Sequence, residues 1–372
     1  MKIKNARFNQ VLKASVLSTL LISAADFSLA QPADRNSVPD LLELPAQQTA
    51  RGLQSIQLGI ALAGERLVSV GEQGIVLLSD DNGRSWRQST GVPVSVTLTD
   101  VEFASPMDGW AAGHSGVILH TADGGETWTL QMDGYKAADL IHQEARRRLD
   151  AGMPDAEDAV RNAEYLVKEG ADKPFLDLFF ADQSQGWAVG AYGIALHTLD
   201  GGQSWQSSVD LIPNTGGRHL YSVQMEGSRR IIAGEQGSLF QHGAEVSTYS
   251  RVETPYEGTF FGFVPLYNDE LLVFGLRGNV WRSSNEGWVA IDLGSEATLT
   301  AGLKLTDDHI LLADEGGHLM LGNDRGLDFK KLDINPVPSI TDMTLARDGA
   351  LILATARGPV RLEDSIFALE DK

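Results

Sequence analysis

The chain has 372 residues, 42% of them hydrophobic, and carries 50 acidic against 30 basic residues for a formal charge of −20. That balance argues against nucleic acid or an anionic lipid surface as the principal ligand, because both call for clustered cations. The sequence contains no cysteine, which excludes disulfides, thiolate metal sites and a lipid-bearing anchor cysteine.

Taken from the N-terminus, residues 1–30 read as an export leader. Lys2, Lys4, Arg7 and Lys13 form a positive end, Ala14 to Ala25 a short apolar core, and Ser28-Leu29-Ala30 a small-x-small site with cleavage expected after Ala30. The apolar run is too short for a comfortable membrane span, so the expectation is a periplasmic or secreted protein without a direct membrane anchor. Losing four basic residues and one acidic residue with the leader takes the charge from −20 to about −23. Residues 31–50 are rich in Pro and polar residues around Leu41-Leu42-Glu43-Leu44 and read as a linker with one candidate strand.

From residue 51 to 372 the chain repeats itself. VSVGEQGIVLLSDDNGRSW (Val68 to Trp86), WAAGHSGVILHTADGGETW (Trp110 to Trp128) and WAVGAYGIALHTLDGGQSW (Trp187 to Trp205) share one pattern. A strand ends at Gly, two residues turn to a second Gly, another strand follows, and S/T-x-D-x-G-x-[ST]-W closes the unit. The Gly pairs Gly71/Gly74, Gly113/Gly116 and Gly190/Gly193 predict tight hairpins at positive φ. Asp81, Asp123 and Asp200 are expected to accept N–H groups two residues on as Asx-type turns, Gly83, Gly125 and Gly202 to relieve the backbone, and Trp86, Trp128 and Trp205 to bury their rings on the next unit. A group present three times over serves shape, so no catalytic role is expected of these aspartates.

Weaker copies follow at Ile231 to His242, Leu271 to Ser284, Ile310 to Phe329 (with Asp324, Gly326 and Phe329 in the Asp, Gly and Trp places) and Leu351 to Asp364. The second Gly thus falls at 74, 116, 193, 237, 278, 317 and 358, at intervals of 42, 77, 44, 41, 39 and 41. Seven units of this size pack radially, predicting an all-β, seven-bladed propeller of four-stranded blades. Leu41 to Leu44 and Ile366 to Leu369 are the candidates for a strand that closes the ring. The long interval contains residues 135–174, where Ala137, Ile141, Ala145 and Leu149, then Ala156, Ala159, Val160, Ala163, Leu166 and Val167, recur at helical spacing. An αα-hairpin spliced between blades two and three is expected, with Asp155 as N-cap and Gly170 as stop.

Strand direction puts the Gly-x-x-Gly turns and the hairpin on one face, the top, and the Asp-turns on the bottom. The candidate binding residues are therefore Glu72, His114, Tyr192, Glu235, Arg277 and Arg357, with Arg146, Arg147 and Arg148 of the hairpin. The triple arginine is either a solvated helix face or part of a docking surface for a protein. Deleting the hairpin is then expected to leave a folded propeller that no longer recovers its client.

Phe103 to Trp128 and Phe180 to Trp205, each reading F-x5-G-W-A-x-G and then H-T-x-D-G-G-x-[ST]-W, resemble the photosystem II stability/assembly factor family of Asp-box (BNR-type) seven-bladed propellers. The resemblance covers residues 53 to 365, strongly in the first three blades. It implies an exported, non-enzymatic propeller without cofactor that binds a membrane protein or membrane complex as an assembly, stability or accessory factor. Relatives in bacteria without a photosystem resemble accessory factors of envelope complexes, including transporters of the resistance-nodulation-division (RND) type. The arginine-rich patch of photosynthetic members has no counterpart here, since basic residues are scattered apart from Arg146-Arg147-Arg148 and Arg229-Arg230, so the client is expected not to be photosystem II.

Two other functions must be weighed. The Asp-box also occurs in sialidases, which need an arginine triad, a Tyr/Glu nucleophile pair and an acid/base Asp. Here the Arg-Ile-Pro element is missing, and Tyr256-Glu257 are strand neighbours that point to opposite faces. A small-ligand or Ca²⁺-binding propeller would use Glu72, Glu235 and Glu315 with Asp100, Asp177 and Asp342 as an acidic mouth, whereas the same residues as a solvated ring need no ligand. No metal is assigned, and His120 and His197, which fall at one place in two repeats, read as framework positions.

Overall fold

The computed structural model describes residues 40–243, 248–305, 309–323, 325–363 and 366–367. The expected leader (1–30), the start of the expected linker and Asp324 lie outside the described residues. Among these residues the strands form seven antiparallel sheets in chain order, six with four strands and the last, Ile340–Leu345, Leu351–Thr355 and Val360–Leu362, with three. The innermost strands, Gln57–Ala63, Leu98–Phe103, Phe175–Phe180, Leu220–Glu226, Phe260–Pro265, Leu299–Lys304 and Ile340–Leu345, each pack beside the next, and the last beside the first. This is the seven-bladed propeller, and its core lies in separate apolar seams between blades.

The repeated motif folds as one aromatic and polar clasp. Trp110 stacks on Phe180 at 3.6 Å between centroids and its Nε1 donates to the Gly201 carbonyl, joining blade two to blade three. The Gly six residues after each Phe exists because a Cβ at Gly109 or Gly186 would lie 2.4 Å from the ring of Phe103 or Phe180. In the Asp-turns the bond runs to the fourth residue rather than the second. Asp81 accepts from Ser85 N (2.8 Å), Asp123 from Thr127 N (2.9 Å) and Asp200 from Ser204 N (2.8 Å). The Ser or Thr two places earlier meanwhile accepts from the glycine N–H of the motif. The carboxylate thus spans a wider loop than an Asx-turn and satisfies both the N–H and the hydroxyl of the same residue. Trp128 and Trp205 are buried, Trp86 partly so. The sixth blade closes its turn with Asn323, whose side-chain oxygen accepts from Leu327 N.

In the five upper turns that have a glycine pair, the two glycines do different work, while Asp314 and Thr355 hold the first place in blades six and seven. The second is left-handed in all seven blades, from φ +64° at Gly237 to +93° at Gly358. The first is extended, at −168° in Gly71 and Gly190, and is required by close approach: a Cβ there would meet Ile56 O at 1.9 Å or Pro174 O at 2.2 Å. The positive φ assigned to it falls instead on the residue between, as in Gln73 (56°), Ser115 (56°) and Tyr192 (55°).

The ring closes without a borrowed strand among the described residues. Residues 40–44 form a turn that lies against the loop after blade one, Leu41 O accepting from Ser95 N and Leu44 O from Ser95 Oγ. Ile366 and Phe367 sit in a short turn packed on the seam between blades six and seven, while residues 368–372 lie outside the described residues. Blade seven instead meets blade one side by side, with Ile60 and Leu67 packed against Ile352 and Ala354. Among the described residues this side-chain packing joins the three-stranded last blade to the first.

The insertion is a helical hairpin, α1 (Gly134–Asp150) and α2 (Ala156–Glu169). Asp133 caps α1 by accepting from Lys136 N, and Gly170 ends α2 at φ +80°. Asp155 occupies the N-cap place of α2 but is left-handed and makes no side-chain cap bond. Ile141, Ala145, Val160 and Ala163 share a buried seam with Ile118, Met132 and Trp205. The hairpin is therefore part of the wedge between blades two and three, not a detachable appendage.

Candidate functional site

The seven inner strands surround a central channel of about 480 Å³. Every one of the seven inner strands carries its register shift just before the same ladder place, the third between Phe175 and Asp177. That place is filled by Gly59, Asp100, Asp177, Ser222, Gly262, Ala301 and Asp342 around the ring. The bulge turns each of these aspartates toward the neighbouring blade. Asp100 Oδ2 accepts from Leu178 N (3.0 Å), Asp177 Oδ2 from Val223 N (2.6 Å) and Asp342 Oδ2 from Ile60 N (2.8 Å). Two residues beyond Asp100, Glu102 faces the same lumen.

These acids are packed together with no cation. Burial, then the carboxylates of Asp100 and Asp342, pushes Glu102 up to about 8. Burial and Asp100 push Asp342 up to about 7, and burial with Asp100 raises Asp177 well above the usual carboxylate range. A charge in a confined site is disfavoured by lost hydration and again by like neighbours.

Glu72, Glu235 and Glu315 do not join this cluster as one acidic mouth. Each accepts an N–H of the segment entering its own blade's inner strand: Glu72 from Ile56, Glu235 from His219 and Glu315 from Thr298. Among the described residues no group of three or more His, Asp or Glu has the arrangement of a metal site. His120 lies against Trp110, and His197 Nδ1 is 2.8 Å from Ser208 Oγ. Tyr256 of the glycosidase pair donates its hydroxyl to Leu276 O, a contact between neighbouring turns. Trp110 and His120 face each other on paired strands, whereas Tyr256 and Leu276 lie in different turns that the sequence pattern does not relate.

Of the expected upper-face residues, the structure brings Tyr192 and Glu235 together through His219, whose ring meets Tyr192 edge-on at 4.9 Å and whose Nδ1 lies 2.9 Å from Glu235. His114, Arg277 and Arg357 are exposed on other blades. The three arginines are all engaged: Arg146 with Glu164 of α2, Arg147 with Glu144, and Arg148 with Asp210 after blade three. Arg148 is thus a tether, while the paired Arg146 and Arg147 keep exposed side chains on the hairpin's solvated face.

The scattered basic residues also gain a role that spacing did not reveal. On the lower face Arg66 and Arg87 both pair with Asp80 and Glu126 across blades one and two. Arg84 and Arg361 meet on Asp348 across blades seven and one, and Arg230 lies 4.5 Å over the Trp187 ring across blades three and four. They are inter-blade staples, recognisable in sequence only once the radial neighbours are known.

Comparison with known proteins agrees with this architecture. The family profile described as "Photosynthesis system II assembly factor YCF48" matches residues 84–146 and 158–287, together more than half of the chain. A photosystem II assembly lipoprotein Ycf48 of Synechococcus sp. (strain CC9902) is 27% identical over 143 residues, 38% of this chain and 32% of that relative's length. The chain thus spans about a third of the curated relative it matches. Among solved structures, YCF48 bound to a D1 peptide has a TM-score of 0.62 at 15% identity, covering 86% of this chain and 99% of the other. YCF48 from Cyanidioschyzon merolae gives 0.61 at 14%, covering 85% and 98%. Both likenesses concern the fold. With the profile running from the end of blade one into blade five and the clasp residues in place, the chain belongs to the photosystem II assembly factor YCF48 family.

Proposed function

We propose that this protein is a non-enzymatic assembly or stability factor that holds a segment of a membrane protein on its upper face. The observation that carries the reading is the use of the motif residues: Asp81, Asp123 and Asp200 are consumed in local bonds on the lower face and the Trp rings in packing there, which leaves the exposed side chains of the upper turns around Tyr192 outside that framework. A closed ring offers that surface with little ordering cost on docking. The D1 peptide bound by a relative of the same fold supports a membrane-protein client of this kind.

The finer part of the reading is that the chain works outside the cytoplasm, after removal of residues 1–30, on an envelope membrane complex such as an RND-type transporter rather than on photosystem II. Its acidic surface and engaged arginines support a client unlike that of the photosynthetic members. The test is photo-crosslinking in intact cells from Tyr192 or Arg357 on the upper face and from Gln203 on the lower face. Adducts with a membrane protein from the upper positions alone are expected. Equal adducts from both faces, or none from the upper one, would sink the reading.

A further inference from the structure

A track of rings on the upper face leads into the cation-free channel. Lys173 Nζ lies 4.8 Å over the Tyr192 ring, Tyr192 meets His219 at 4.9 Å, His219 meets Tyr221 at 6.2 Å, and Tyr221 meets Phe261 at 4.9 Å. Tyr192 is 60% exposed, and Tyr221 and Phe261 stand at the upper ends of their inner strands and line the channel. The titratable groups lining the lumen are Asp100, Glu102, Asp177, Asp342 and Tyr221, with no Lys, Arg or His among them. The cations beside the outer part of the track are already engaged: Lys173 with Asp172 (2.6 Å) and Glu169 (2.8 Å), and Arg218 through Nε to Gln236 (2.8 Å).

We propose that this track and channel bind an extended, lysine- or arginine-bearing segment of the client, with the rings holding its planar or apolar groups and the channel carboxylates receiving one basic side chain. The inference rests on the docking reading above and gives its partner a chemistry. Charge complementarity carries it. Four carboxyl groups face one lumen without a counter-charge, so a guanidinium or ammonium entering there relieves their repulsion, and buried charge is tolerated when it is paired. The volume of about 480 Å³ lies in the ~300–1,000 Å³ range of ligand sites, and aromatic faces attract the same cations. Because burial, and then the neighbouring carboxylates, push Glu102 up to about 8 and Asp342 up to about 7, an arriving cation expels protons.

The experiment uses three fluorescein-labelled peptides that share a Ser-Pro-Tyr framework and differ only in bearing Lys, Glu or Gln. Binding is followed by anisotropy, and proton release by calorimetry in two buffers of different ionisation enthalpy. The Lys peptide is expected to bind best and to release protons at pH 7. Glu102→Gln with Asp342→Asn should abolish the release and weaken binding about tenfold, and Tyr192→Ala, in an exposed turn, should weaken binding about as much without touching the release. Asp182→Asn on the lower face is the control for general attraction to an acidic protein. Equal binding of the three peptides, or loss of affinity in the Asp182 variant equal to that in the channel variants, overturns the proposal. If the crosslinks from Tyr192 persist while these peptide differences are absent, the channel chemistry fails and the docking reading stands.

Discussion

Asp342 accepts the backbone N–H of Ile60 through Oδ2 at 2.8 Å, and this bond joins the last blade to the first. Thr341 Oγ1 donates to Gln57 O one step away (2.7 Å), and Arg361 donates to Asn82 O at the lower rim. Closure is therefore carried by side chains of blade seven that reach main-chain groups of blade one. Asp342→Ala should cost ~1–3 kcal/mol, because it leaves a confined N–H without its acceptor. Urea unfolding checks this, and a midpoint equal to that of the parent would refute the closing role.

Stability should fall between about pH 5 and pH 8 through the channel acids. Glu102 (up to about 8), Asp342 (up to about 7) and Asp177 are all raised in the folded state. The fold therefore binds protons more tightly than the unfolded chain does, and this contribution, full below the ordinary carboxylate pKa, is lost as pH rises through the folded values. The Asp-turn works in the opposite sense. Asp81, lowered to about 2 by its bonds to Ser85 and Ser79, contributes stability above the ordinary value and loses it as pH falls toward 2. Melting temperatures at pH 5 and 8 should therefore differ more in the parent than in Glu102→Gln/Asp342→Asn. Parallel falls in the two proteins would assign the effect elsewhere.

The Asp-turns should report on folding and not on docking. Asp123 accepts from Thr127 N, Thr127 Oγ1 and Thr121 Oγ1, so Asp123→Ala should cost ~1–2 kcal/mol. Crosslinking from Tyr192 should be unchanged at a temperature where the variant is folded. A stable variant with lost crosslinking would place function on the lower face.

Gly190 and the residue two places beyond it make a paired test of the upper turn. Gly190→Ala puts a Cβ 2.2 Å from Pro174 O and should cost ~1–3 kcal/mol through backbone displacement. Tyr192→Gly, at φ 55°, relieves the left-handed strain and should be close to neutral or stabilising by up to ~1 kcal/mol. Thermal melts of both variants separate the two roles, and the opposite ranking would refute them.

Ile141 tests whether the hairpin belongs to the core. Its side chain is 6% exposed in the seam with Trp205 and Ile118, so Ile141→Ala should cost ~2–4 kcal/mol. Removing 135–174 altogether should then expose that seam and promote aggregation, as light scattering would show. A soluble, cooperatively melting deletion variant would make the hairpin a true appendage.

How much was legible in the sequence follows from where each signal resides. The blade count, the insertion and the places of the Asp-turns are written within single repeats: local φ demands and the alternation of apolar residues are short-range, so spacing along the chain determined them, although the bond that Asp123 accepts from Thr127 N reaches two residues further than spacing suggested. The same locality hid what joins one blade to the next. That Gly71 is needed for close approach to Ile56 O depends on the pairing of two strands within blade one, and that Arg148 is a tether to Asp210 and Arg66 bridges to Glu126 depends on which elements of successive blades become neighbours, so clash and ion pair exist only in the folded chain. Asp100, Asp177 and Asp342 show both sides at once. Their alignment near the start of inner strands could be read from the repeats, but their shared lumen with Glu102, and the raised proton affinity it imposes, arise because closure gathers charges from distant parts of the chain into one confined space.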